Sequence, residues 1–238
     1  DRVYKVEKDL FKPFLMGKDV QRYTYLSTKK YVFYPYKVVD GYAQIVTLEE
    51  IEKKYPMTFE YILDHEEEFK KRESGKAGKM EHWHSYIYPK NLNKFEQPKL
   101  SSMEICANHP NVSFNNENIY HATTVYSWIK KEETKESYEY LLAIANSKLL
   151  WWFLKTTGDT LQGDARRFKT NYLNPFPIPK EVEEDSENEI AAKVQEVLAI
   201  KRQNSSTSTT PLESEIDQLV YKLYGLTEEE IKIVENAC

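Results

Sequence analysis

The spacing of apolar and polar positions changes several times along the chain, and each change marks an element. Residues 1–48 alternate over short distances in "FLMGKDVQRY", "YVFYPYKVV" and "YAQIVT", punctuated by Gly17, Pro35 and the pair Asp40 and Gly41. This pattern predicts short strands and turns. From Thr47 the period lengthens: Thr47 and Glu50 have the spacing of a capping box, and Pro56 separates two helices. Phe59, Ile62, Leu63 and Phe69 lie mostly at helical spacing, which turns Glu66, Glu67, Lys70 and Lys71 toward water. Residues 73–99, with Gly75, Gly78, Pro89 and Pro98, read as loop and short strand, and "KLSSMEICA" and "ATTVYSWIK" as further strands. The clearest helix predicted is "ESYEYLLAIANSKLLWWFLKTT". In it Tyr140, Leu141, Ala143, Ile144, Leu149, Trp152 and Phe153 form one broad apolar face, and Gly158 is the stop.

Beyond "NPFPIP" an acidic linker is expected, then "EIAAKVQEVLAIKRQ", a Ser/Thr run, and "LESEIDQLVYKLYG". Ile190, Val194, Val197 and Leu198, followed by Ile216, Leu219, Val220 and Leu223, predict an antiparallel helix pair, and Thr227 caps a third, short helix. No repeat of fixed period is present. The expected fold class is mixed α+β, a small β-sheet with packed helices followed by a C-terminal helical appendage. The expected division is 1–180 and 181–238.

Composition narrows the function classes. A chain of 238 residues with 40% hydrophobic content can bury one substantial core, or a core with a smaller appendage. The longest apolar run, the six residues of 149–154, is far short of the roughly 20 that span a bilayer, so no membrane segment is expected. Cys106 and Cys238 give neither a disulfide framework nor a four-ligand zinc site, which suggests a reducing, cytoplasmic setting. The first residue is Asp1 rather than Met, from which a fragment of something longer is expected. Net charge is −5, but residues 181–238 hold 14 acidic and 5 basic residues against 24 and 28 before them. The body is therefore mildly basic, which permits a local DNA-binding face.

Four groups of residues carry candidate chemistry. His82 and His84, with Cys106 and His109, offer pairs of potential metal ligands, but two ligands do not make a zinc site. Asp40 with Glu52 and Lys54 imitates a metal-dependent nuclease, although the pattern puts Glu52 on a solvated helix face and Asp40 in a turn. "NPFP" at 174–177 resembles the Asn-Pro-Pro-aromatic motif with which amino methyltransferases hold a flipped base. The chain lacks a glycine loop for a methyl donor, and Pro175, Pro177 and Pro179 more simply lock an extended exit. The last group is the segment 158–171, where Gln162, Arg166, Arg167, Lys169 and Asn171 lie between a Trp-rich helix and the prolines. Arginine reads guanine bidentately, and Gln and Asn suit adenine. The alternative is that Arg166 and Arg167 pair with surface carboxylates, worth about 0 to 1 kcal/mol.

The order of motifs resembles the TaqI-like C-terminal specificity domain of adenine methyltransferases and type IIG restriction-modification enzymes. The matching stretches are "PFLMGKDVQRY", "YVFYPY", "YPMTFEYILDHEEEFKKR", "FEQPKLSSMEI", "YEYLLAIANSKLLWWFL", "RRFKTNYLNPFPIP" and "EIDQLVYKLYGLTEEEIKIVE". The resemblance implies a non-catalytic target recognition domain that reads double-stranded DNA through the major groove. Methyltransferase and nuclease domains upstream on the same polypeptide would supply catalysis. On this view the fragment holds no cofactor, and S-adenosylmethionine and magnesium belong to the upstream domains.

The resemblance does not fix the reading residues, so chemistry selects them. Gln162, Arg166, Arg167, Lys169 and Asn171 are candidate base or phosphate contacts, and Lys18, Arg22, Arg72, Lys76 and Lys79 candidate backbone contacts. Lys18 and Arg22 could instead pack the first strands. The acidic C-terminal helices are expected to dock on the methyltransferase domain rather than touch DNA. Two other readings stay open: a specificity subunit acting in trans with a separate methyltransferase, and a stand-alone metal nuclease.

Overall fold

The computed structural model describes residues 2–180 and 182–238. The chain forms two compact units, one from residues up to Phe14 with Lys29–Glu96, the other from Leu15–Thr28 with Gln97–Cys238.

In the smaller unit, β1 (Phe11–Leu15) pairs antiparallel with β2 (Tyr31–Phe33), Phe11 opposite Phe33. A hairpin follows, β3 (Tyr36–Val39) and β4 (Tyr42–Ile45), with Val39 opposite Tyr42. Its two-residue turn needs positive φ at both positions, which Asp40 (50°) and Gly41 (80°) adopt. Three helices follow where two were expected: α1 (Leu48–Lys54), α2 (Pro56–Asp64) and α3 (Glu66–Gly75). Pro56 makes the first break and His65, outside the helical region at ψ 13°, the second. The helical backbone of α3 itself stops at Arg72, since Glu73 and Ser74 are left-handed.

Half of the predicted capping box is present. The Thr47 hydroxyl accepts the Glu50 N–H at 3.2 Å, but the Glu50 carboxylate pairs with Lys54 at 2.8 Å and Lys37 at 3.1 Å. For α2 the cap comes from far away in sequence: Glu7 accepts the N–H groups of Met57 at 3.0 Å and Thr58 at 2.8 Å, satisfying orphan donors of the first turn. Burial would raise the Glu7 carboxyl, but the bonds from the Thr58 hydroxyl and these amides hold it below its ordinary range. Leu10, Val46, Ile51 and Ile62 form this unit's core. Leu63, expected on the buried face, is 46% exposed because one step along α2 turns it about 100° from Ile62, which with Thr58 marks the buried side.

The larger unit holds a three-stranded antiparallel sheet built from β5 (Lys99–Met103), β7 (Val112–Asn115) and β9 (Val125–Trp128), with β5 central. The same unit holds the short strands β6 (Ile105–Cys106) and β8 (Tyr120–His121), outside this sheet. The expected single long helix is two, α4 (Tyr138–Asn146) and α5 (Lys148–Thr157). Ser147 is extended, and its hydroxyl donates to Ile144 O at 2.8 Å and accepts the Leu150 N–H at 3.1 Å, closing one helix and capping the next. The Asn146 amide continues the β7 edge, accepting from Val112 N at 3.0 Å and donating to Val112 O at 2.9 Å.

After β10 (Arg166–Arg167) and the single-turn α6 (Thr170–Leu173) come α7 (Glu184–Gln203), α8 (Thr210–Leu223) and α9 (Glu228–Ala237). Most of the acidic stretch expected as a linker is the first turn of α7, where Glu184, Asp185 and Glu187 complement the helix dipole; Glu181 lies outside the described residues. Thr227 and Glu230 form a complete capping box on α9. The division at Lys180 follows composition and charge, whereas packing joins both sides of it: Ile144 and Leu150 share one core cluster with Val194, Val197, Ile216 and Val220. No helix of the described residues is long and apolar enough to cross a membrane.

Candidate nucleic-acid interface

The loop between α5 and α6 is fixed at several points. Gly158 ends α5, its N–H bonded to Leu154 O at 2.9 Å, and a Cβ there would meet the same oxygen at 2.8 Å. The chain turns through Gly163 (φ 75°) and Asp164 (φ 59°), and the Leu161 N–H closes the turn on Ala165 O at 2.9 Å. It then enters β10, which pairs antiparallel with β6, Arg166 opposite Cys106 and Arg167 opposite Ile105. The next residue, Phe168, is fully buried beside Trp128, its N–H bonded to Glu104 O at 2.8 Å. Tyr172 donates its phenol proton to Asp159, clasping α6 to the start of the loop.

Strand geometry decides what the two arginines do. Successive side chains point to opposite faces, so Arg166 shares the inward face with Phe168, and Arg167 faces the other way. Arg166 is 4% exposed. Its guanidinium donates to Asp164 O at 2.9 Å and Ala165 O at 3.2 Å and pairs with the Asp164 carboxylate at 2.9 Å. Lys155 approaches the same carboxylate at 3.1 Å, and Lys155 together with Arg166 holds it below the usual aspartate range. Arg166 therefore braces the loop from inside, and the expectation that it contacts a base or phosphate directly does not fit this position. Arg167 keeps 39% of its side chain exposed, with a loose approach to Glu104 at 3.6 Å. Gln162, Lys169 and Asn171 are exposed.

The candidate phosphate contacts divide in the same way. In the larger unit Arg22 is half-buried, pairing through Nε with Glu213 at 2.8 Å and donating to Asn146 O at 3.0 Å. It ties the segment 15–28 to α4 and α8, in line with a packing role. Lys18 is exposed on a short turn whose neighbour Gly17 lies against Thr124, leaving no room for a Cβ. In the smaller unit Arg72 is also internal, donating to Phe69 O at 2.8 Å, Trp83 O at 2.6 Å and Ser85 O at 2.9 Å, and burial lowers its pKa. These bonds occupy the guanidinium that a phosphate would need. Lys76 is exposed and touches Tyr88, hydroxyl at 3.0 Å and ring at 4.4 Å, and Lys79 is exposed.

The other candidate chemistry has local explanations. His84 is buried with Nε2 on Val46 O at 2.9 Å, and burial lowers its pKa. Burial pushes the Cys106 thiol up to about 11, opposing the thiolate a metal requires. Asp40 is at the hairpin tip, Glu52 is exposed on α1, and Lys54 is engaged with Glu50. In "NPFP", Phe176 packs on Phe153 and Tyr224 with ring centres 5.1 and 5.7 Å apart, so its ring serves the core. Tyr224 and Tyr140 donate to the carbonyls of Pro177 at 2.8 Å and Pro179 at 3.2 Å, fixing the proline exit.

Sequence reading missed the clamps of this site: Glu104, Phe168, the Lys155 and Asp164 pair, and Tyr172 on Asp159. One signal was available, since a buried Phe168 in a strand fixes Arg166, two residues earlier, on the same face.

Comparison with known proteins places the chain in a family. The chain is 24% identical over 233 residues to the type II restriction enzyme and methyltransferase RM.Eco57I of Escherichia coli, covering 92% of this chain and 23% of that protein. The chain thus spans less than a quarter of that relative. Residues 12–178 match the TaqI-like C-terminal specificity domain, which contains the anchored loop, β5 to β10 and all ten basic and amide candidates. The chain belongs to the TaqI-like C-terminal specificity domain family.

Proposed function

We propose that this chain is the DNA-reading part of a type IIG restriction-modification polypeptide, directing an adenine methyltransferase and a nuclease upstream to a short target in double-stranded DNA. The observation that carries the reading is the anchored loop: four polar side chains, Gln162, Arg167, Lys169 and Asn171, remain outward on a backbone already fixed by Arg166, Phe168 and Tyr172. An ordered loop bears less conformational cost on binding, which favours discrimination between bases. Arg167 is assigned to a base edge, worth about 1 to 3 kcal/mol of discrimination. Lys18, Lys76 and Lys79 are assigned to phosphates, which position without specifying. Arg166, Arg22 and Arg72 act through the fold.

The family match supports DNA recognition by this chain; on this reading catalysis, with S-adenosylmethionine and magnesium, is assigned to other parts of the polypeptide, in the cytoplasm. A specificity subunit acting in trans would present the same loop, and the reading frame upstream separates the two arrangements. Selection of duplexes from a random pool at low salt tests the proposal. Enrichment of one short motif supports it; salt-sensitive binding with no motif, by folded protein, rejects sequence reading by this chain.

A further inference from the structure

A cavity of about 840 Å³ opens in the larger unit, away from the outward side chains of the loop. Its floor is made of core residues: Leu100 of β5, Ile144 and Ala145 of α4 and Leu150 of α5, each at most 2% exposed. Trp128, Leu141 and Leu173, partly buried, form walls. Protein interiors pack to crystal density and leave few voids larger than a water. At roughly 30 Å³ per water, this space has room for many waters over a largely apolar floor. Its size lies in the range of about 300 to 1,000 Å³ typical of small-molecule sites.

The mouth has a different chemistry. Lys130, Lys131, Lys135 and Lys180 meet there with Glu133, Glu136 and Glu187. Glu133 faces Lys131 at 3.9 Å, and Glu187 accepts the Ser137 N–H at 2.7 Å. Lys130 lies over the Tyr138 ring at 5.3 Å. Among the described residues neither Lys135 nor Lys180 has an ion-pair partner, so the mouth keeps two uncommitted ammonium groups above an apolar floor. A neutral lipid-like molecule would leave these charges unused, and a compact inorganic anion would leave the floor wet.

We propose that this cavity binds a small organic anion with a flat apolar body. The body lies against Leu100, Ile144, Leu150 and Trp128, and the anionic group meets Lys135 and Lys180. None of the outward loop residues lines the cavity, although Trp128, which does, packs beside Phe168 of the loop.

The test compares two fluorescent probes of the same shape: 8-anilino-1-naphthalenesulfonate, which is anionic, and N-phenyl-1-naphthylamine, which is neutral. Both are titrated into the chain and into the double variant Lys135→Glu with Lys180→Glu, two exposed positions whose change leaves the core intact. Methyl resonances of Ile144 and Leu150 locate the bound probe. The proposal expects these methyl signals to move with either probe. It expects the double variant to weaken the sulfonate at least tenfold and the neutral probe less than twofold. Unmoved methyl signals, an unchanged sulfonate affinity, or equal weakening of both probes would overturn it.

Discussion

Arg166 and Arg167 are chain neighbours on opposite faces of one two-residue strand, the first sealed beneath its own loop by the carbonyls of Asp164 and Ala165, the second 39% exposed and 3.6 Å from Glu104. Two identical side chains thus have different surroundings, one internal and one open to solvent. Arg166→Ala removes the guanidinium's bonds to Asp164 and Ala165 and opens a space in a buried site, so it is expected to cost about 1 to 3 kcal/mol of stability. Arg167→Ala loses a long exposed contact worth less than about 1 kcal/mol. Urea unfolding of the two variants checks this; equal losses would contradict the assignment.

Arg22 and Glu213 give a second contrast. Their side chains are 20% and 16% exposed and the ion pair is 2.8 Å long. Glu213→Ala strands the Arg22 charge in a half-buried site, and a loss of about 2 to 4 kcal/mol is expected, somewhat below the cost of breaking a fully buried pair. Lys18→Ala, on the same segment but exposed, should leave stability unchanged and weaken all duplexes alike, reducing the salt slope of binding by about one. A sequence-dependent loss for Lys18→Ala would show it reading bases.

Asp217 carries a pH signature. It accepts the Lys148 N–H at 2.9 Å at the start of α5, but burial pushes its pKa up from 3.8 to about 6, with smaller opposing contributions from that hydrogen bond and from Arg22 and Lys148. A carboxyl with a raised folded pKa binds its proton more tightly in the native state. Its contribution therefore falls as pH rises from about 4 through about 6, and stays low above that. Asp217→Asn keeps an acceptor for Lys148 without the charge. It is expected to flatten the stability profile over that window and to gain on the order of 1 to 3 kcal/mol at neutral pH. A variant with the original pH dependence would locate the effect elsewhere.

Asn146 bonds both backbone groups of Val112 at 3.0 and 2.9 Å from a fully buried site, beside the Tyr23 N–H that also reaches Val112 O at 3.1 Å. Asn146→Leu leaves the buried Val112 N–H unpaired, while Val112 O keeps the Tyr23 N–H at 3.1 Å, and a loss of about 1 to 3 kcal/mol is expected in thermal or urea unfolding. Tolerance below 1 kcal/mol would mean that water reaches the β7 edge.

The elements themselves were largely legible in the chain. The Asp40 and Gly41 hairpin, the start of α1 at Thr47, the strands around Ser101 and Val125, and the Thr227 cap follow from local chemistry that packing does not override. The misreadings occur where one residue has two local options. Ser147 sits inside an unbroken apolar period, yet its hydroxyl caps α5 better than its backbone continues α4. Leu63 fits a helical stripe with Phe59, but the side of α2 that is buried is the one carrying Thr58 and Ile62. At the candidate site the residue types were legible but their orientation was not. Arg22, Arg72 and Arg166 are candidates by charge alone, and each donates to carbonyls of adjacent turns and helices, partners that have no sequence signature. Burial of a guanidinium is decided by tertiary packing, and composition is silent on it.

The central claim is that Arg167 reads a base while Arg166 holds the loop that presents it. The most direct test measures binding of the chain, of Arg167→Ala and of Arg166→Lys to the selected duplex and to duplexes changed at single base pairs. The account predicts that Arg167→Ala loses about 1 to 3 kcal/mol of discrimination at one base pair and keeps the others. Arg166→Lys should weaken binding and stability together without shifting preference at any one position. Discrimination unchanged in Arg167→Ala, or lost at a single base pair in Arg166→Lys, would contradict it.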